Sequence, residues 1–178
     1  MPAGCRTPIV QLPGAPASIG RGSLFTPVAT QTTVGQTFAV PSTCTTVASV
    51  TFAFSPLGGG SETFAVTALL YKFDLATDRV IGPLLGSQTV SISEAATILT
   101  VTFANPIQLP ETTTYAIILT SSGLGQTNIQ ATVYPSLTLT PRTIPDGTYI
   151  RLNNGDDSSA IATSGFQRID ANWQIVIA

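Results

Sequence analysis

The sequence predicts an all-β chain: an antiparallel β-sandwich of two sheets, a jelly roll ahead of an immunoglobulin-like arrangement, with an extended N-terminal arm. Three observations carry this reading. Short runs of alternating apolar and polar residues recur at roughly 8–12-residue spacing, bounded by Gly, Pro, Asn or Ser. Threonine occurs 28 times and lysine once, at Lys72; β-branched residues suit a pleated surface, whereas Lys and Glu populate helix surfaces. No window places apolar residues at helical spacing, so helix is expected at most as a turn near residues 93–96.

Residues 1–34 hold Pro2, Pro8, Pro13, Pro16 and Pro27 among several glycines, and no period of 2 or 3.6 survives there. They are read as an extended arm, with the sandwich over residues 35–178. The arm is expected to make few contacts with its own sandwich and to be ordered by a neighbour. The alternation starts at residues 36–40 with Phe38 and Val40. Residues 47–54 align Val50, Phe52 and Phe54 before a glycine-rich break at 58–60. Residues 62–73 form a long strand with Phe64, Val66, Ala68 and Leu70 on one side. A polar turn at 74–78 leads to Val80 and Ile81, and a bend is expected at Gly82 and Pro83. Residues 85–93 carry Val90 and Ile92, residues 98–104 carry Leu99, Val101 and Phe103, and residues 113–121 carry Tyr115, Ile117 and Leu119. Further runs follow at 128–134, 137–140, 148–152 and 172–177, the last aligning Trp173, Ile175 and Ile177. Period-2 alternation implies that each sheet buries one face and wets the other. The expected core is Phe38, Val50, Phe52, Phe64, Val66, Val101, Phe103, Tyr115, Ile117 and Ile175.

Composition bounds the chemistry. The 178-residue chain fits one domain, its charged fraction is 9%, and its net charge is −2. Seven scattered basic residues supply no basic stripe for nucleic acid. The longest apolar runs, such as residues 115–119, are far shorter than the ~20 residues of a membrane-spanning helix. There is no histidine, which removes Ser-His-Asp and Cys-His catalysis and any metal site built on imidazole. Neither a phosphate-binding loop nor a dinucleotide fingerprint occurs. The nine acids are Glu62, Asp74, Asp78, Glu94, Glu111, Asp146, Asp156, Asp157 and Asp170. Nearly all fall in turns or at strand ends, where a raised pKa has no cause. A non-enzymatic protein without a cofactor is the expectation.

The densest polar cluster spans residues 153–159. Asn153, Asn154, Asp156 and Asp157 are candidate oxygen donors for a glycan or a hard cation, although Asn-Gly is first a turn signal. Tyr134, beside Pro135, is the tyrosine expected to be exposed for sugar stacking, while the sole tryptophan, Trp173, is expected in the core. Cys5 and Cys44 allow one disulfide or two free thiols.

Residues 36–38 (QTF), 66–71 (VTALLY), 82–86 (GPLLG) and 107–119 (IQLPETTTYAIIL) resemble bacterial choice-of-anchor surface β-sandwich modules, over about residues 36–178. The resemblance implies a non-catalytic extracellular binding or adhesion fold. Residues 1–8 lack the apolar core of a secretory signal, so release by lysis is the expectation. An arm ahead of a jelly roll with low charge also resembles phage capsid decoration (cement) proteins. The expectation is a virion surface subunit, assembled in the host cytoplasm. Its partners would be the major capsid protein, other virion subunits and further copies of itself, with no nucleic acid or membrane. The alternative is a carbohydrate-binding or adhesion module at a bacterial cell surface, or a tail-fibre receptor-binding protein, with a glycan as ligand.

Overall fold

A computed structural model describes residues 33–40, 46–55, 63–93, 98–110, 113–124, 134–135, 137–138, 148–152, 154, 157–169, 172–173 and 175–177. Residues 1–32, with Cys5 and with Cys44 further on, lie outside the described residues. The strands in chain order are β1 (Thr33–Ala39), β2 (Thr46–Ser55), β3 (Thr63–Asp74), β4 (Arg79–Ser93), β5 (Ile98–Gln108), β6 (Thr114–Thr120), β7 (Tyr134–Pro135), β8 (Leu137–Thr138) and β9 (Tyr149–Leu152). A single helical turn, α1 (Ala160–Thr163), precedes β10 (Gln167–Ile169), β11 (Asn172–Trp173) and β12 (Ile175–Ile177).

Every pairing is antiparallel. Six strands form one sheet in the order β10-β9-β1-β6-β3-β4; β12-β2-β5 form the opposing sheet, and β11 pairs with β8. The chain passes back and forth between the two main sheets, and β6 returns to insert between β1 and β3. The all-β sandwich expected from the alternation is the observed architecture.

Its main core lies between the two sheets. Val34 and Phe38 from β1 meet Val50 and Phe52 from β2, Phe64, Val66 and Leu70 from β3, Val101 and Phe103 from β5, and Tyr115, Ile117 and Leu119 from β6. Nine of the ten expected core residues are therefore in this cluster. The tenth, Ile175, lies on β12 in register with Phe52. The Phe38 and Tyr115 rings stack with centroids 6.0 Å apart, within the range of favourable aromatic pairs.

A second core occupies the opposite face of the six-stranded sheet, where the alternation rule predicts water. Tyr71, Phe73, Val80, Ala116, Ile118, Ile150, Ile161 and Phe166 form it, with α1 and the residues after it as the cover. Phe166 meets Phe73 edge to face, centroids 6.0 Å apart. Consequently all seven residues of β6 are buried. The physical sign is the unbroken run at 115–119, because a strand covered on both sides loses its polar alternation.

Three local readings are corrected. The described helical turn is α1, away from the one place where helix was expected; residues 94–96 lie outside the described residues. Gly82 and Pro83 do not end a strand: β4 runs through them, with four of its residues opposite Tyr71 alone, between the pairs Leu70 with Gly86 and Lys72 with Ile81. Gly82, at φ 73°, supplies the left-handed conformation, and Pro83 is tolerated because β4 is an edge strand. Residues 172–177 are two ladders rather than one strand, with Trp173 opposite Leu137 and Ile175 opposite Phe52.

A similar irregularity separates the β2–β5 pairs Val47 with Ile107 and Ser49 with Thr102. It shifts the phase of β2, so Val47 and Val50, three residues apart, both face the core. Gly86 packs where a Cβ would collide with the Ile107 side chain, which draws β4 onto β5. On β1, a Cβ at Gly35 would stand 2.5 Å from the Ile117 carbonyl oxygen, so only glycine admits β6 at that distance.

Phe103→Ala is expected to destabilise the fold by about 3–5 kcal/mol in denaturant titration, since the site is buried in the main core. Gln36 has the inward parity of Val34 and Phe38; it is 2% exposed, and its Oε1 has no hydrogen-bond partner. An unmet buried acceptor costs about 1–3 kcal/mol, so Gln36→Met, of similar shape, is expected to raise the thermal midpoint. A lowered midpoint would show that the amide is needed where it stands.

Candidate functional site

Of the polar cluster expected at residues 153–159, the structure describes Asn154 and Asp157–Ser159; Asn153 and Asp156 lie outside the described residues. Asn154 follows β9 and bridges two elements. Its Oδ1 accepts a hydrogen bond from Thr33 Oγ1 at 2.9 Å, and its Nδ2 donates to the Asp157 carbonyl at 2.7 Å. The Asp157 amide in turn donates to the Asn154 carbonyl at 3.0 Å, closing a tight turn.

Asp157 organises the entry into α1. Its Oδ1 accepts from the Ser159 hydroxyl at 2.6 Å and from the Ser159 amide at 2.9 Å. This is the local side-chain-to-backbone bonding for which Asp is favoured in turns. The Ser159 hydroxyl, then its amide, hold the Asp157 carboxyl below the ordinary carboxylate range. The turn delivers Ile161 of α1 into the second core.

Sequence reasoning missed the partners on the sheet. Thr33 and Thr120 sit opposite each other on β1 and β6, buried, with their hydroxyl oxygens 2.7 Å apart. Thr120 Oγ1 also accepts from the Ser122 amide at 3.1 Å. Nearby on β1, the Thr37 hydroxyl accepts from the Thr148 amide at 2.9 Å, and the Thr37 amide donates to the Thr148 carbonyl at 2.9 Å. Only parity could have found this row: Thr33, Gly35 and Thr37 share the β1 face opposite to Val34 and Phe38.

At its far end the cover is fastened to the β3–β4 hairpin. The Phe166 amide donates to the Asp78 carbonyl at 2.7 Å, and Arg79 reaches the Thr163 carbonyl at 3.4 Å. Arg168 Nε stands 2.5 Å from Asp78 Oδ1 as a half-exposed ion pair. Asp78 itself adopts φ 56° in the hairpin turn, a conformation Asp tolerates better than most residues. In the same turn Asp74 accepts from the Thr77 hydroxyl at 2.6 Å and the Ala76 amide at 2.9 Å, which lower its pKa in that order of effect.

Thus each described carboxylate, at Asp74, Asp78 and Asp157, is engaged in a turn or an ion pair. Among the described residues no group of three or more Cys, Asp or Glu side chains could hold a metal, and no helix is long and apolar enough to cross a membrane. Tyr134 lies on β7 opposite Ser55 of β2, whereas Asn154 follows β9 of the six-stranded sheet. Comparison with family models, with curated protein sequences and with solved structures gives no match.

Thr33→Val removes a hydroxyl while keeping shape, and is expected to cost about 1–3 kcal/mol because Asn154 Oδ1 and Thr120 lose a buried partner. Asp74 and Asp157 bind protons less readily when folded than when unfolded. Their contribution is therefore complete above the unfolded pKa of about 3.9 and lost as pH falls through their lower folded values. Thermal melts across acid pH should show Asp157→Ala lowering the midpoint near neutrality, with the difference from the parent shrinking as acid protonates the carboxylate.

Proposed function

We propose that this chain is a non-enzymatic structural subunit of a phage virion surface, a capsid decoration protein that binds its assembly through the sandwich and the N-terminal arm. The observation that carries the reading is the use of ionisable groups: the described carboxylates staple turns and hold the cover on the second core. Asp74 and Asp157 accept bonds from hydroxyls and amides of their own turns, and Asp78 pairs with Arg168. The outer faces support it too. Thr51 and Thr100 pair their hydroxyls at 3.0 Å on the smaller sheet, and Thr67 and Thr89 do so at 2.9 Å on the larger one. Such a surface meets a partner by hydroxyl hydrogen bonds around apolar anchors, in the manner of a wet-rimmed protein interface. The passage of strands between sheets, with β6 inserted between β1 and β3, favours the jelly-roll form of sandwich found in capsid proteins.

Attachment in this reading comes from many copies and from apolar burial. Occupancy on purified capsids, measured by cosedimentation across a salt series, is expected to vary little, because the chain has few charges to screen. Deleting residues 1–24 is expected to reduce occupancy strongly while circular dichroism shows the sandwich intact. A truncated form that binds capsids equally well would defeat the arm's role. If the intact protein ignores capsids and binds a glycan array, the resemblance to surface adhesion modules becomes the better guide.

A further inference from the structure

The two ends of the six-stranded sheet are built differently. At one end β10 is three residues long and carries Arg168, ion-paired to Asp78, with Arg151 of the adjacent β9 bonded to Gln167 at 2.6 Å. Short strands and charges are the usual means of blunting a sheet edge against pairing. At the other end β4 runs for fifteen residues and has no charged side chain after Arg79. Beyond the irregularity at residues 82–85 it pairs with β3 in unbroken register from Gly86 to Ser93, with no proline in that stretch. Its other edge faces no strand among the described residues. Beside it, β5 ends the smaller sheet and is also uncharged.

The side chains of this edge fit a copy of themselves. Ser87, Thr89 and Ser91 are exposed on the outer face, while Val90 and Leu85 pack only partly against the main core at its open flank. Antiparallel pairing about a two-fold axis at Thr89 would set Ser87 against Ser91, Gln88 against Val90 and Gly86 against Ile92. Hydroxyls then meet hydroxyls, and the bare Gly86 sits opposite the largest residue of the segment. No like charges meet, and the half-covered Val90 gains a neighbour. A foreign strand would need no such symmetry of sizes.

We propose that β4 is a self-association edge, pairing antiparallel with β4 of a second copy so that the six-stranded sheet continues across a two-fold axis. The isologous geometry is that of a closed dimer, and the main-chain ladder is the mode by which sheet edges recruit strands. The inference holds whichever assembly the dimer joins. A ladder of this length buries a modest area, so association is expected to be reversible and concentration-dependent.

Sedimentation equilibrium on the full chain, to about 1 mM, tests it alongside two variants. Ser87→Lys combined with Ser91→Lys places like charges opposite each other and is expected to weaken dimerisation by at least about tenfold. Ala162→Lys, an added charge on the exposed side of α1, is expected to leave it unchanged. In the Thr89→Cys variant, mild oxidation is expected to produce a chain-to-chain crosslink that peptide mapping places between the two introduced cysteines, not at Cys5 or Cys44. That readout decides alone if the double lysine variant fails to fold. A parent that stays monomeric throughout, or a dimer indifferent to both lysines, overturns the proposal.

Discussion

The structure depends on one constraint: β6 has no face that meets water. It lies between β1 and β3 in the sheet, against the opposing sheet on one side and against α1 and Phe166 on the other. A strand so placed requires two covers, and the second cannot come from a sheet, because the chain has already used its long strands. It is assembled instead from a short turn of helix and a few flanking residues. Four helical residues have no stability of their own; they stay because Ile161 and Phe166 are buried and because both ends of the segment are tied down.

The ties explain why so few charged residues suffice. At one end Asn154 links the cover to Thr33 and Asp157 shapes the turn; at the other Asp78 takes the Phe166 amide and the Arg168 guanidinium. The ties made by Asn154 and Asp157 are short polar side chains bonded to backbone or hydroxyl, and at Asp78 the backbone carbonyl holds the Phe166 amide while the carboxylate adds one ion pair. Buried threonine serves the same end within the sheet. Thr33 and Thr120 fill strand positions as β-branched residues do and satisfy one another's hydroxyls, so a polar pair sits in the second face without an unmet group.

The main core was legible because its signal is strictly periodic. Phe64 and Val66 on β3, like Val101 and Phe103 on β5, alternate with threonine or alanine, and a register error would have turned them all outward together. The second core was not legible from alternation, since its members come from four strands, a helical turn and a loop, and contribute one or two residues each. Ile118 has the outward parity in a strand oriented by Tyr115, Ile117 and Leu119, so alternation alone assigns it to water. Gly82 and Pro83 misled for a related reason: breakers mark a turn only when the chain has nowhere else to place them, and an edge strand with an irregularity offers such a place. As for the polar cluster, its turn character could be read from Asn, Gly and Asp in sequence, but its partner Thr33 lies 121 residues away. No local pattern reports a contact of that separation.

There is also the question of how a chain with 9% charged residues keeps its sheet ends from open-ended pairing. Lysine, the commonest edge guard, is nearly unused, and the single Lys72 lies on β3, an interior strand. At the β4 and β5 flank the guards are conformational: Pro83 and the four-residue irregularity on β4, and the matching irregularity on β5 that contains Pro106. Both interrupt pairing at the same flank, just before the point where Gly86 meets Ile107. They therefore limit the usable edge of β4 to a short stretch rather than abolishing it. An edge restricted in length can take one partner in one register but cannot propagate a ladder along its whole strand. In a protein whose charges are committed to holding a cover in place, restriction by backbone shape is the means left for keeping association specific.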